Sequence, residues 1–209
     1  WTAATGMVGL GDIPGGGFES RARAVSVDCS VIVGRGWSAS GAEAFRWTAD
    51  TGFVGLGDLP GDQFSSEAYG ASAGGSIVVG HSRGYQRFED AFLWTAADGI
   101  TLIPRLPGYS AGGTARGVSA DGSVVVGASF NNGGLAQPFR WTAQTGLAGL
   151  GFLPGGTTGI AHAVSADGRV IVGSSAPEAF QWTVEAGMTS LGQLPGHYST
   201  TAKAISGEG

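Results

Sequence analysis

Apolar residues along the chain come in short runs of two kinds, and each kind predicts strands. One kind is continuous and β-branched: Val31-Ile32-Val33, Ile77-Val78-Val79, Val124-Val125-Val126 and Val170-Ile171-Val172. The other alternates with small or polar positions. It includes Ala22 to Ser26, Ala68 to Ser72, Ala115 to Ser119, Ala161 to Ser165 and Ala202 to Ser206, the A-F-R-W-T type such as Ala44 to Thr48, and the M-V-G-L-G type such as Phe53 to Gly57. Gly, Pro, Asp or Ser bounds every run. Period-two alternation and β-branched enrichment are strand signals, and no segment carries an i, i+3, i+4, i+7 helical stripe.

The strands recur in step with three markers. Trp-Thr occurs at Trp1, Trp47, Trp94, Trp141 and Trp182, and a Pro-Gly follows thirteen positions later, at Pro14, Pro60, Pro107, Pro154 and Pro195. Eleven or twelve residues further on stand Ser26, Ser72, Ser119, Ser165 and Ser206. The repeats are 1–46, 47–93, 94–140, 141–181 and a partial 182–209. Self-similarity at this period marks propellers, solenoids or arrays. Four short antiparallel strands, a to d, in about 45 residues match a propeller blade. Parallel β-helix coils and leucine-rich repeats are shorter, and TPR or HEAT units need helices.

The expected fold is therefore an all-β propeller of four-stranded antiparallel blades, one domain over 1–209. Strand a, with its Ala, Gly and Ser, suits the crowded centre. Ser-Ala-Asp-Gly at 119–122 and 165–168 reads as the a–b turn, with Asp bonding the backbone two residues on and Gly supplying a positive φ. The first copy carries Cys29 there, a substituted glycine. The Trp of strand c is expected between blades, as the main buried aromatic. Counting a lone c and d in 1–11, four full sets, and a final a in 201–206 gives nineteen strands. That predicts a five-bladed ring whose last blade is shared between the termini.

Composition narrows the function classes. The net charge of -5, with no basic cluster along the sequence, leaves no footprint for nucleic acid. No apolar stretch approaches the roughly 20 residues of a membrane helix, so membrane insertion is not expected. The single Cys29 forms no internal disulfide. No signal peptide is visible in a chain that opens in mid-repeat.

The string E-A-F-R-W-T-A-D-T-G-F-V-G-L-G-D-L-P-G at 43–61, preceded by A-V-S-V-D-C-S-V-I-V-G at 24–34, resembles the bacterial extracellular HAF-repeat family. The resemblance covers essentially the whole chain. It implies a propeller in a secreted or surface-anchored protein, and so an extracellular location. The family's His before Ala-Phe is replaced by Glu43, Asp90, Gln137 and Glu178. The order S-x-D-G, V-x-G, W-T also looks like a WD40 blade.

Candidate chemistry is sparse. His81, His162 and His197 fall in three repeats at non-equivalent positions, with no nucleophile at triad spacing and no third ligand at metal spacing. His81 and His197 are placed in loops, and His162 in a strand a beside the central channel. No cofactor is expected. Carboxylates meeting at the axis, as in a glycosidase-like hydrolase, stay open as a minor alternative. Length variation gives a clearer lead, because it is confined to 35–42, 81–89, 128–136 and 174–177, the b–c connections. These open on the same face as the d–a loops, and insertions on one face often mark the binding face. Candidate ligand-binding residues there are Trp37, Arg83, Tyr85, Arg87, Phe88, Asn131 and Asn132, joined by Phe18, Phe64, Tyr109 and Tyr198 of the d–a loops.

The expected function is a non-catalytic extracellular binding or scaffold module with a protein-interaction or adhesin-type surface. The alternative is a lectin-like propeller with a repeated carbohydrate site. Self-association through the incomplete blade is a further expectation. An interface predicts one dominant patch centred on 81–89, whereas sugar binding predicts equivalent shallow pockets around the ring.

Overall fold

In a computed structural model, which describes residues 3–84 and 88–209, the chain folds into four antiparallel meanders of four strands, each sheet in sequence order. The first comprises β1 (Gly15–Val25), β2 (Ile32–Ser38), β3 (Gly41–Thr48) and β4 (Gly52–Gly55). The second comprises β5 (Ser66–Ala71), β6 (Ile77–Arg83), β7 (Glu89–Thr95) and β8 (Gly99–Leu102). The third comprises β9 (Gly113–Val118), β10 (Val125–Phe130), β11 (Ala136–Thr142) and β12 (Gly146–Gly149). The fourth comprises β13 (Gly159–Val164), β14 (Ile171–Ser175), β15 (Glu178–Thr183) and β16 (Gly187–Ser190). The first strands touch in turn, β1 to β5, β5 to β9 and β9 to β13, so the sheets stand side by side as propeller blades. No helix occurs among the described residues.

The second strand of each sheet runs further than its β-branched run suggests. β2 continues through Gly34-Arg35-Gly36-Trp37-Ser38, and β6 through Gly80-His81-Ser82-Arg83. Much of the expected b–c loop is thus paired hairpin. His81 stands on a strand, opposite Glu67 and Ala91, and not in a loop.

The centre of each inter-sheet core is Phe, not Trp. Phe45, Phe92, Phe139 and Phe180 are 0–1% exposed, whereas Trp47, Trp94, Trp141 and Trp182, two residues later on the same strand face, are only half-buried. Each Phe lies directly across from the glycine that ends the β-branched run: Gly34, Gly80, Gly127 and Gly173. A Cβ at Gly80 would stand 2.0 Å from the Glu67 carbonyl oxygen and 2.8 Å from the Phe92 ring. Glycine lets the inner strand approach while the ring covers the bare backbone. Val, Ala and Leu from adjacent sheets complete the clusters around these rings, for example Val31, Val33, Ala44 and Leu56 with Ala68, Val78 and Phe92.

The threonine of Trp-Thr holds the next turn, with Thr48, Thr95, Thr142 and Thr183 accepting from the backbone N–H three residues on. The marker serines Ser26, Ser72, Ser119 and Ser165 are buried and their Oγ accepts from the first residue of the β-branched run, at 2.9–3.1 Å, whereas Ser206 of the partial copy is exposed. Where Asp follows, Ser26, Ser119 and Ser165 donate to Asp28, Asp121 and Asp167 at 2.6 Å, which holds those carboxyls below their ordinary pKa. The turns also bond to one another through the backbone: Ala73 N–H to Ala120 O, Ala120 N–H to Ala166 O, and Ala166 N–H to Gly207 O. Cys29 has φ 60°, where Gly75, Gly122 and Gly168 of the other copies have 63–77°, as a substituted glycine should.

The chain ends differ from the strand count. Residues 3–14 and 191–209 form no strand, leaving sixteen among the described residues. Strand d pairs with c and strand a pairs with b in every full unit, and the described residues flanking 7–10 and 201–206 supply neither partner. Both segments still dock where the repeat puts them. Ile13 is buried against Gly36, and Ala202 N–H donates to Gly173 O beside β14. The outer sheets keep an open face: Ala22 is exposed where Ala68, Ala115 and Ala161 are fully buried, and Leu191 is exposed where Leu56 and Ile103 are buried.

Candidate functional site

The expected loop-face residues divide into groups. Trp37 on β2, Phe64 and Arg83 on β6 meet at the junction of the first and second sheets, where they line a groove of about 370 Å³ with Arg35, Gln63 and Ser65. The groove is tied by a parallel bridge between Ala42 and Ser65, by Arg83 N–H to Ser65 O, and by Arg83 Nη1 to Gln63 Oε1 at 2.9 Å. Phe88 lies at the next junction, 5.8 Å from the Arg105 guanidinium, and Tyr109 packs onto the core between the second and third sheets. Asn131 is spent on its own turn, accepting from Gly133 and Leu135 N–H, while Asn132 beside it is exposed. Phe18 on β1 and Tyr198 near the other end are 90% and 95% exposed. Tyr85 and Arg87 lie outside the described residues. Among the described residues, these aromatics therefore stand in unlike surroundings.

A second cluster, which the linear sequence hides, forms along the inner strands. Each of β1, β5, β9 and β13 carries a one-residue bulge at the same position, skipped in the pairing with the neighbouring strand. The bulged residues are Arg23, Tyr69, Arg116 and His162, and Lys203 occupies the equivalent place in the final copy. A bulge re-aims its side chain. Here it brings them into one arc. The Arg23 and Arg116 guanidiniums stand 5.9 and 5.4 Å from the Tyr69 ring, and Lys203 Nζ lies 3.3 Å from His162 Nε2. The sequence shows no basic cluster, but the fold assembles one.

Arg23 Nε donates to the buried Glu67 carboxylate at 2.5 Å. Arg21, Arg23 and Arg35, with Trp37, Glu19 and Glu67, line a cavity of about 90 Å³. Arg35 and Trp37 border both this cavity and the groove. The Arg35 guanidinium lies 5.7 Å from the Trp37 ring. His81 stacks near Tyr69, 5.4 Å between centroids, with Nε2 3.6 Å from Glu89. Burial lowers its pKa against the opposing pull of Glu89 and Glu67. Burial, then the Glu67 charge, pushes Tyr69 up to about 12, so its hydroxyl stays protonated. Burial, then Lys203 and Arg116, brings His162 down to about 4, so its ring is neutral near pH 7. Buried nitrogens Arg35 Nε, Arg116 Nε and His81 Nδ1 have no hydrogen-bond partner among the described residues.

The fold has clear structural relatives. The chain superposes on TolB from Acinetobacter baumannii with a TM-score of 0.57 at 14% identity, covering 84% of this chain and 44% of that one. A putative TolB from Agrobacterium tumefaciens gives 0.62 at 16% identity, covering 84% and 62%. At such identities the likeness speaks for the β-propeller alone. The chain spans about half the length of these structures. No family model matches it, and no curated protein is similar enough to compare.

The position that carries His in the HAF pattern turns out to brace the blade. Glu43 accepts from Gly57 N–H at 2.9 Å, Asp90 pairs with Arg105 at 2.6 Å, and Glu178 accepts from the Ser190 hydroxyl. Among the described residues no group of three His, Cys, Asp or Glu is placed to hold a metal. The residues that composition missed are Arg23, Tyr69, Arg116 and Lys203. Their signal was the variable position of A-x-A, fixed in register and free in chemistry.

Proposed function

We propose that the chain is a non-catalytic binding module that engages a protein partner through the groove between its first two sheets. The observation that carries this reading is the convergence of Trp37, Phe64, Arg35 and Arg83 in one groove, while the corresponding aromatics elsewhere are buried, isolated or differently packed. Arg and aromatic side chains in one partly desolvated patch are what interface hot spots use. A lectin-like ring would instead need equivalent pockets at each junction. The patch takes in residues 35–42 and 63–65 with Arg83 of the expected 81–89 stretch, of which 85–87 lie outside the described residues.

Against the axial hydrolase, the axis-facing bulge positions are Arg, Tyr, Arg and His, while Glu67 is held by Arg23 and Glu89 lies against His81. The resemblance to HAF repeats supports an extracellular or cell-surface location, and we include that in the proposal. The uncovered faces of the outer sheets supply an apolar surface for self-association.

The test is a peptide-display selection against the immobilised protein, run beside a glycan array. Enriched peptides whose binding falls at least ten-fold in Trp37→Ala and Arg83→Gln support the groove. Sharp glycan hits quenched by Phe64→Ala or Tyr109→Ala would replace it with the carbohydrate reading.

A further inference from the structure

The bulges give the inner strands a property that the groove does not use. A bulge breaks ladder pairing and leaves one residue over, so four at identical positions are a built feature of the array. They aim side chains of different chemistry at one another. On one side of the arc, Arg23 has a carboxylate partner in Glu67. Beyond it, Arg116 stands over the Tyr69 ring, Lys203 lies 3.3 Å from His162 Nε2, both charges act on the His162 ring, and no ion pair joins Arg116 or Lys203 to a carboxylate among the described residues. Arg116 Nε is buried without a hydrogen-bond partner, and Lys203 is the chain's only lysine.

The backbone holds this arrangement close. A Cβ on Gly117 would lie 3.3 Å from the Ala163 Cα and 3.5 Å from the His162 carbonyl oxygen, so β9 and β13 approach tightly behind the side chains. Arg21, Arg23, Arg35, Arg116 and Lys203 make five of the 11 Lys and Arg residues. Arg21 and Arg23 stand on β1, Arg35 on β2, Arg116 on β9 and Lys203 in the final segment, and in a chain of net charge -5 this local excess opposes the overall field. Like charges held together without a counter-charge are costly in a partly desolvated site, and an anion removes that cost.

We propose that the axial arc is an anion-binding site, in which Arg116 and Lys203 clamp an oxyanion group, polycarboxylate or phosphate, with the His162 ring beside it, while the Tyr69 hydroxyl stays with the Glu67 carboxylate. The guanidinium fork suits either oxyanion. The ammonium adds a point charge, and the neutral imidazole offers one N–H donor and one acceptor nitrogen. This inference stands apart from the groove, since none of Arg116, His162 and Lys203 lines it.

The test is isothermal titration of the whole chain with citrate and, separately, with inorganic pyrophosphate. The variants are Arg116→Gln, Lys203→Gln and the control Arg169→Gln, whose side chain is exposed on the turn face. The expected result is saturable one-to-one binding, weakened at least ten-fold in Arg116→Gln and Lys203→Gln and unchanged in Arg169→Gln. The His162 ring resonances should shift on titration, and those of the exposed His197 should stay put. Binding of citrate alone assigns a carboxylate ligand, binding of pyrophosphate alone a phosphate, and binding of both a site for either oxyanion. Absence of saturable binding by both probes overturns the proposal, as does equal weakening in the Arg169→Gln control. Lys203→Gln sits on the exposed tail, so it reports on the site even if Arg116→Gln fails to fold.

Discussion

The two faces of the propeller come from the same repeat yet are held in different ways. On the face with the β1–β2, β5–β6, β9–β10 and β13–β14 turns, a buried serine closes each turn and backbone bonds run from one turn to the next. On the opposite face the hairpins differ in length, from the two residues 39–40 between β2 and β3 to the five residues 131–135 between β10 and β11. There Phe18 is exposed, Phe64 lies in a groove and Tyr109 packs on the core. Repetition thus marks where neighbouring blades must agree, and departure from it marks where they need not. The bulged inner strands combine the two, with backbone geometry repeated and side-chain chemistry free.

The core beneath both faces sets the largest expected effect. Phe139→Ala should cost about 3–5 kcal/mol in a denaturant melt, because the ring is fully buried over Gly127. The half-buried Trp141→Ala should cost clearly less. An equal or reversed ranking would return the main packing role to Trp.

Next comes the turn face. Ser119→Ala strands the buried Val124 N–H and removes the donor to Asp121, with an expected loss of about 1–3 kcal/mol. Ser72→Ala should lose less, since its turn has Gly74 where the others have Asp, and its partner is Ser76 at 3.3 Å. Cys29→Gly should stabilise by about 1 kcal/mol, because a non-glycine residue at φ 60° carries a left-handed penalty.

Proton linkage separates the axis from the rest. His162 titrates at about 4 in the fold against an ordinary 6.5, so between these values the unfolded chain holds the extra proton. Stability should therefore rise with pH through that window and be lost as pH falls from about 6.5 towards 4. His162→Gln should flatten the slope in pH-dependent melts, leaving the part due to His81, whose pKa is lowered in the same direction. Smallest of all, Phe18→Ser and Tyr198→Ser should stay within about 0.5 kcal/mol of the parent chain, as isolated exposed aromatics.

Much of this architecture was legible in the sequence, because the markers are themselves the contacts. The Ser-x-Asp turn, the β-branched run and the A-F-R-W-T strand each appear where their spacing places them. Phe as the buried ring was hidden by the rarer Trp two positions later, since a strand places both on one face and only packing tells how deep each goes. The paired halves of β2 and β6 were hidden by composition, as Gly-Arg-Gly-Trp-Ser and Gly-His-Ser-Arg are polar enough to look like loops. The axial arc was hidden for a physical reason: Arg23, Tyr69, Arg116, His162 and Lys203 are one per repeat, and only the fold brings them together.

The claim that binding belongs to the irregular face is tested most directly by hydrogen exchange on the chain with and without its best display-selected peptide. The expected result is protection gained at 35–43 and 58–65, with the turns at 26–30, 72–76, 119–123 and 165–169 unchanged. Protection confined to those serine turns, or spread evenly over all four sheets, would contradict it.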